Sequence, residues 1–147
     1  MSSPLKTETL SSLQDLEGFA RRLVAELPPK SLILLSGPMG AGKTKLVETV
    51  AHLLGGAEVS SPTFALHQAY NVGGRSVHHF DLYRLESQDE IASAGFWDVL
   101  QEPSGWIFVE WPERLGAGEW PVGLAVYQLQ MELLADSVRK VKWARVC

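Results

Sequence analysis

Cysteine is almost absent: the 147-residue chain has one, Cys147. No disulfide can form within the chain, and a cage of cysteine ligands around a metal is excluded. Long apolar runs are missing too. The stretch Leu32-Ile33-Leu34-Leu35 is far shorter than the roughly 20 residues a membrane-crossing helix needs. The segment Met1-Ser2-Ser3-Pro4 lacks the basic-then-apolar pattern of a signal peptide, so the expectation is a cytoplasmic protein without a membrane role. Basic charge is scarce as well, with 13 Lys and Arg against 17 Asp and Glu and a formal net charge of −4. Proteins that grip nucleic acid directly usually carry a basic surface to displace counterions. The cluster Arg139, Lys140, Lys142 and Arg145 reads instead as a solvated strand face.

What remains is globular composition, 46% apolar and 20% charged, and a length suited to one domain over residues 1–147. Ser11 with Gln14 suggests a capped helix start, followed by Leu13, Leu16, Ala20, Leu23, Val24 and Leu27 at helical spacing. Pro28 and Pro29 end that helix, and Gly18 inside it suggests close packing. Residues 31–36 form an apolar run without alternation, as in a strand covered on both faces. A glycine-rich loop follows, then a helix with Leu46, Val47, Val50, Ala51, Leu53 and Leu54 on its buried side, closed by Gly55-Gly56. Residues 63–70 and 76–83 read as a hairpin turning at Asn71-Val72-Gly73-Gly74. A short helix is expected over residues 88–100, a buried strand over 106–109, and two strands over 124–134 and 137–146. The expected fold is α/β: a mainly parallel sheet of the P-loop NTPase type, flanked by helices, with antiparallel hairpin additions.

Gly37-Pro38-Met39-Gly40-Ala41-Gly42-Lys43-Thr44 fits G-x-x-x-x-G-K-[ST] without a mismatch, between a strand and a helix. Glycines let the backbone turn its N–H groups toward one point, and the helix start adds the positive end of its dipole. Lys43 offers an ammonium to the β- and γ-phosphates, and the Thr44 hydroxyl is a hard oxygen suited to Mg²⁺. Lys45 follows at a position whose hydroxyl, where one is present, commonly touches the α-phosphate in P-loop proteins; Lys45 keeps the backbone N–H and offers a charge instead. ATP and Mg²⁺ are the ligands this implies. Two acids stand at strand ends, where open α/β sheets bind ligands: Glu110 after Ile107-Phe108-Val109 and Asp81 after His78-His79-Phe80. Each is suited to bind the metal, its water, or an attacking water; a surface acid and a turn residue are the plainer readings. Thr63 is a candidate sensor of the γ-phosphate, or simply a strand start. Adjacent in a strand, His78 and His79 face opposite ways, so packing roles are expected for them.

Ser61-Pro62-Thr63-Phe64, His79-Phe80-Asp81-Leu82-Tyr83-Arg84-Leu85 and Val109-Glu110-Trp111-Pro112-Glu113-Arg114-Leu115 follow the phosphate loop in order. Together these segments resemble the TsaE (YjeE) family of bacterial ATPases over nearly the whole chain. The resemblance implies a role in making threonylcarbamoyladenosine, the modified base beside the anticodon of tRNAs that read codons starting with A. It implies Mg-dependent ATP hydrolysis that drives a TsaB–TsaD partner complex, with tRNA met only indirectly. It places Thr44 and Glu110 at the magnesium, Asp81 in hydrolysis, Thr63 in a switch-like segment, and Trp111 beside the nucleotide or in packing. One departure is Lys45, where the family usually has Thr or Ser. The other reading of the residues is a small-molecule kinase of the P-loop class, which would need an acceptor pocket and an arginine-rich lid.

Overall fold

The computed structural model describes residues 3–55, 67–72, 75–83, 85, 87–102, 104–115, 120–135 and 137–146. Its elements, in chain order, are strand β1 (Lys6–Leu10), helix α1 (Leu13–Glu26), strand β2 (Lys30–Ser36), helix α2 (Lys43–Leu53), strands β3 (His67–Val72) and β4 (Arg75–Asp81), and short helices α3 (Gln88–Ser93) and α4 (Phe96–Leu100). Strand β5 (Gly105–Glu110), a 3-10 turn (Pro112–Leu115), and strands β6 (Ala125–Ala135) and β7 (Val138–Arg145) complete them. Among the described residues, no helix is long and apolar enough to cross a membrane.

Among the described residues, the strands form one seven-stranded sheet in the order β1-β7-β6-β2-β5-β4-β3. The inner four, β6, β2, β5 and β4, are parallel. Antiparallel partners extend both edges, β3 on one side and β7 with β1 on the other. Residues alternate between two cores, as a pleated sheet requires. Ile33, Leu35, Trp106, Phe108, Tyr127 and Leu129 pack under α1 and α2. Leu32, Leu34, Ile107, Val109 and Val126 pack under α3, α4 and the 3-10 turn. The inner strands β2 and β5 are therefore apolar on both faces, the reason their runs show no alternation. On β6 the second face turns polar after Val126, with Gln128 and Gln130 exposed.

Several expectations shift. The cap of α1 is Ser12, whose side chain accepts from the Asp15 N–H at 3.1 Å, while Asp15 Oδ2 accepts from the Ser11 N–H at 2.9 Å. Asp15, not Gln14, is therefore the cap's partner, and its carboxylate reaches back to the N–H of the residue before the cap rather than to that of the cap itself. Leu13 consequently opens the helix at the exposed end, and Phe19 holds the buried face instead. A Cβ on Gly18 would meet only an Arg22 side-chain nitrogen at 3.7 Å, so no close packing requires that glycine. The hairpin strands run further toward the turn than expected, with Val72 opposite Arg75; Gly73-Gly74 lie outside the described residues. The helix expected over 88–100 is broken at Gly95, whose φ of +83° ends α3 and starts α4. Strand β1 was not foreseen, because Lys-Thr-Glu-Thr-Leu buries only Leu10 and leaves no period to read. Its charged side chains suit an edge strand.

Candidate nucleotide site

Parallel strands bring their C-terminal ends together, and β2, β5 and β4 deliver the candidate residues there. The loop leaves β2 at Gly37, where a Cβ would stand 2.1 Å from the Met131 carbonyl oxygen of β6. Only glycine passes there, and φ is +136°. Pro38, Met39 and Gly40 are exposed, and the Pro38 carbonyl accepts from the Ala41 N–H at 3.3 Å. Gly42, at φ 102°, caps α2 without a side-chain bond. The first N–H groups of a helix have no intrahelical partner, so this end is suited to an anion.

Lys43 is buried at the start of α2. Its Nζ donates to the Gly37 carbonyl at 2.5 Å and lies 4.0 Å from the centre of the Trp111 ring. Burial pulls its pKa below the ordinary lysine value, against the opposing pull of Glu110, Glu113 and Asp81. Thr44 Oγ1 donates to Glu110 Oε2 at 2.7 Å. Glu110 is 4% exposed at the end of β5. Burial acts to raise its pKa, but hydrogen bonds from His79 and Thr44 and the charges of His79 and Lys43 outweigh it and hold the pKa below the usual range. Asp81 pairs with Glu110 across β4 and β5, so both side chains leave the same face of the sheet. Its Oδ1 accepts from the Tyr83 N–H at 3.1 Å. Trp111 adopts a φ of 61°, unusual for a large residue, and its ring meets Tyr83 at 4.8 Å. Thr63, with its neighbours Ser61, Pro62 and Phe64, lies outside the described residues.

The loop therefore comes together with Glu110 and Asp81, which stand far from it in sequence. The donor set suits Mg²⁺: hydroxyl and carboxylate oxygens meet beside a glycine cradle for phosphates, and this ion usually takes one or two protein oxygens with the rest from phosphate and water. A cavity of about 380 Å³ adjoins the loop, lined by Leu10, Leu13, Leu16, Gly42, Lys45 and Arg139 among others. The Arg139 Nη2 donates to the Gly40 carbonyl at 3.4 Å. This corrects the reading of the basic cluster as one solvated face: Arg139 lies on the loop side of β7, while Lys140 and Lys142 alternate to the other side.

The family model of the threonylcarbamoyl adenosine biosynthesis protein TsaE matches residues 10–141. The chain belongs to the TsaE family. A TsaE of Rickettsia typhi is 36% identical over 107 residues, 71% of this chain and 73% of its own length. A TsaE of Rickettsia bellii is 35% identical over 132 residues, 88% of each chain. Both are tRNA threonylcarbamoyladenosine biosynthesis proteins. The crystal structure of Bacillus subtilis YdiB superposes with a TM-score of 0.71 at 22% identity, covering 100% of this chain and 88% of that one, a likeness of fold. TsaE membership places the chain in tRNA threonylcarbamoyladenosine biosynthesis. Two residues at this candidate site go beyond those the sequence reading assigns to it. Arg139 gave no signal beyond a basic run. His79, expected to pack, lies with its Nε2 2.6 Å from Glu110 Oε2; its place two residues before Asp81 on a strand was the available sign, since i and i+2 share a face.

Proposed function

We propose that this TsaE family member binds ATP with Mg²⁺ at residues 37–45, hydrolyses it slowly alone, and drives a TsaB–TsaD complex that modifies tRNA. The observation that carries this reading is the 2.7 Å contact between Thr44 and Glu110, which joins the phosphate loop to a strand-end carboxylate 66 residues away in sequence. A loop that matched the motif by chance would have no reason to meet such an acid beside a buried lysine. Bound Mg²⁺ would neutralise charge on the β- and γ-phosphates. Thr44 and Glu110 would hold it, directly or through its water. Lys43 would leave the Gly37 carbonyl for the phosphates, an exchange of one charge-assisted bond for stronger ones. Asp81, beside Glu110 on the same face, would order the attacking water. The adjoining cavity would receive the base and ribose, with leucines against the ring and Arg139 and Lys45 at its polar rim.

Calorimetry with two ligands tests the phosphate and base parts separately. Lys43→Ala should weaken both ATP and inorganic tripolyphosphate at least tenfold, since a bond to a charged group is worth about 1.5–3 kcal/mol. Arg139→Ala should weaken ATP more than tripolyphosphate, because its side chain touches the loop but also lines the adjoining cavity. Unchanged ATP affinity in Lys43→Ala would overturn the phosphate-loop assignment.

A further inference from the structure

His79 lies on β4, where neither the phosphate loop nor the strand-end acids account for it. Its neighbours fix it. Val77 on the same face and Phe80 on the opposite face are fully buried, and His79 itself is 7% exposed. Parallel pairing sets His79 beside Phe108 and Asp81 beside Glu110, so the imidazole reaches diagonally across one step of the ladder. Its Nε2 lies 2.6 Å from Glu110 Oε2, the oxygen that also accepts from Thr44 at 2.7 Å. An ionised carboxylate only accepts, so Nε2 carries the hydrogen and donates. Three elements thus converge on one oxygen: α2 through Thr44, β4 through His79, and β5 through Glu110 itself.

Of the two donors, the threonine holds the carboxylate less firmly. Its hydroxyl is the group expected to turn toward a cation, and a hydroxyl rotor moves freely. The imidazole is held by a packed strand and has no such freedom. We propose that His79 is the positioning residue of this site: through its bond to Glu110 it presets the carboxylate toward the divalent cation that accompanies the nucleotide, and so sets the affinity for that cation. This rests on the reading of Thr44 and Glu110 as the metal-side residues. Groups that orient a metal-side residue through one hydrogen bond typically change metal affinity or activity about 10–100-fold when removed.

The test is binding of a non-hydrolysable ATP analogue to the full chain, by calorimetry, in EDTA and across a Mg²⁺ titration. His79→Leu should leave the EDTA affinity unchanged and raise the Mg²⁺ concentration at half effect about 10–100-fold. His79→Gln, whose amide nitrogen reaches the place of Nε2, should restore most of the response. His79→Asn, whose amide nitrogen stands nearer the place of Nδ1, should not. Glu110→Gln should weaken the Mg²⁺ response by itself, and adding His79→Leu to it should change nothing more, as required of a residue that acts through Glu110. Equal midpoints for His79→Gln and His79→Asn, a parental midpoint in His79→Leu, or additive effects in the double variant would each overturn the proposal. If His79→Leu does not fold, the Gln and Asn pair decides. A parental Mg²⁺ response in Glu110→Gln would instead overturn the metal reading of Glu110, and this inference with it.

Discussion

Glu110 is a buried carboxylate whose pKa is lowered rather than raised. Its desolvation is outweighed by donors from His79 and Thr44 and by the charge of Lys43. A carboxylate with a depressed pKa contributes stability that is fully present above its unfolded value, near 4.5 here, and lost as pH falls through the folded value. Acidification below about pH 4.5 should therefore destabilise the fold in part through this one residue. Glu110→Gln keeps the shape and removes the proton uptake. Its melting temperature should fall less steeply with acid than that of the parent, although it starts lower at neutral pH. Parallel curves for the two proteins would show that Glu110 carries no such linkage.

At the scale of elements, the caps and the loop make separable demands. Ser12 accepts from the first turn of α1, and such caps are worth about 1 kcal/mol. Ser12→Ala should therefore cost about 0.5–2 kcal/mol in urea unfolding. Ser11→Ala should cost little, because it is the Ser11 backbone N–H that bonds Asp15. Equal costs would return the cap to Ser11. The phosphate loop distinguishes its glycines in the same way. Gly37→Ala would drive a Cβ to 2.1 Å from the Met131 carbonyl, and rigid backbone cannot yield. The expected loss is about 3 kcal/mol or more, from overlap and backbone strain together. Gly40 also has positive φ, at 81°, but a Cβ there meets nothing within 4 Å. Gly40→Ala should cost only the conformational strain, about 1–2 kcal/mol. If both variants melt alike, steric contact with β6 is not what restricts Gly37.

For the whole molecule, the parallel centre gathers the phosphate loop and the strand-end acids at one end, and the antiparallel wing of β7 and β1 adds Arg139 and Leu10 to the adjoining cavity. The net charge of −4 leaves little basic surface for tRNA phosphates. Under the proposed function, partner contact rather than direct tRNA contact is the route by which hydrolysis would serve modification. Without a partner, turnover should be slow, about 10⁻⁴ to 10⁻² per second, as for P-loop proteins that lack help in the transition state. Asp81 stands where β4 ends and is tied to the Tyr83 backbone, so movement of that turn would reach the site. Asp81→Ala should still bind ATP and still join TsaB–TsaD, yet fail to sustain repeated modification. The measurement is modified nucleoside formed per complex over many turnovers, with binding followed separately. Normal multiple turnover in Asp81→Ala would exclude the role assigned to it.

The sequence by itself determined the local conformations and the chemistry that depends on neighbours in the chain. Gly37 to Thr44 needed only its own spacing, because one loop supplies the turn, the helix start, the lysine and the hydroxyl. The uninterrupted apolar runs of β2 and β5 revealed strands buried on both faces, and Glu110 showed itself by ending one of them. Periods of 2 and 3.6 residues carry such information within a few residues. Tertiary structure decided what no period encodes. The bond from His79 to Glu110 spans 31 residues and that from Thr44 to Glu110 spans 66, while Arg139 meets Gly40 across 99. These depend on strand order and register, which are set by how two cores and seven strands pack together. The same holds for β1, whose residues take an edge position only because β7 offers its free side. A histidine read as packing becomes a donor to the site only after the sheet has placed β4 beside β5, since its chemistry depends on a partner the chain brings from elsewhere.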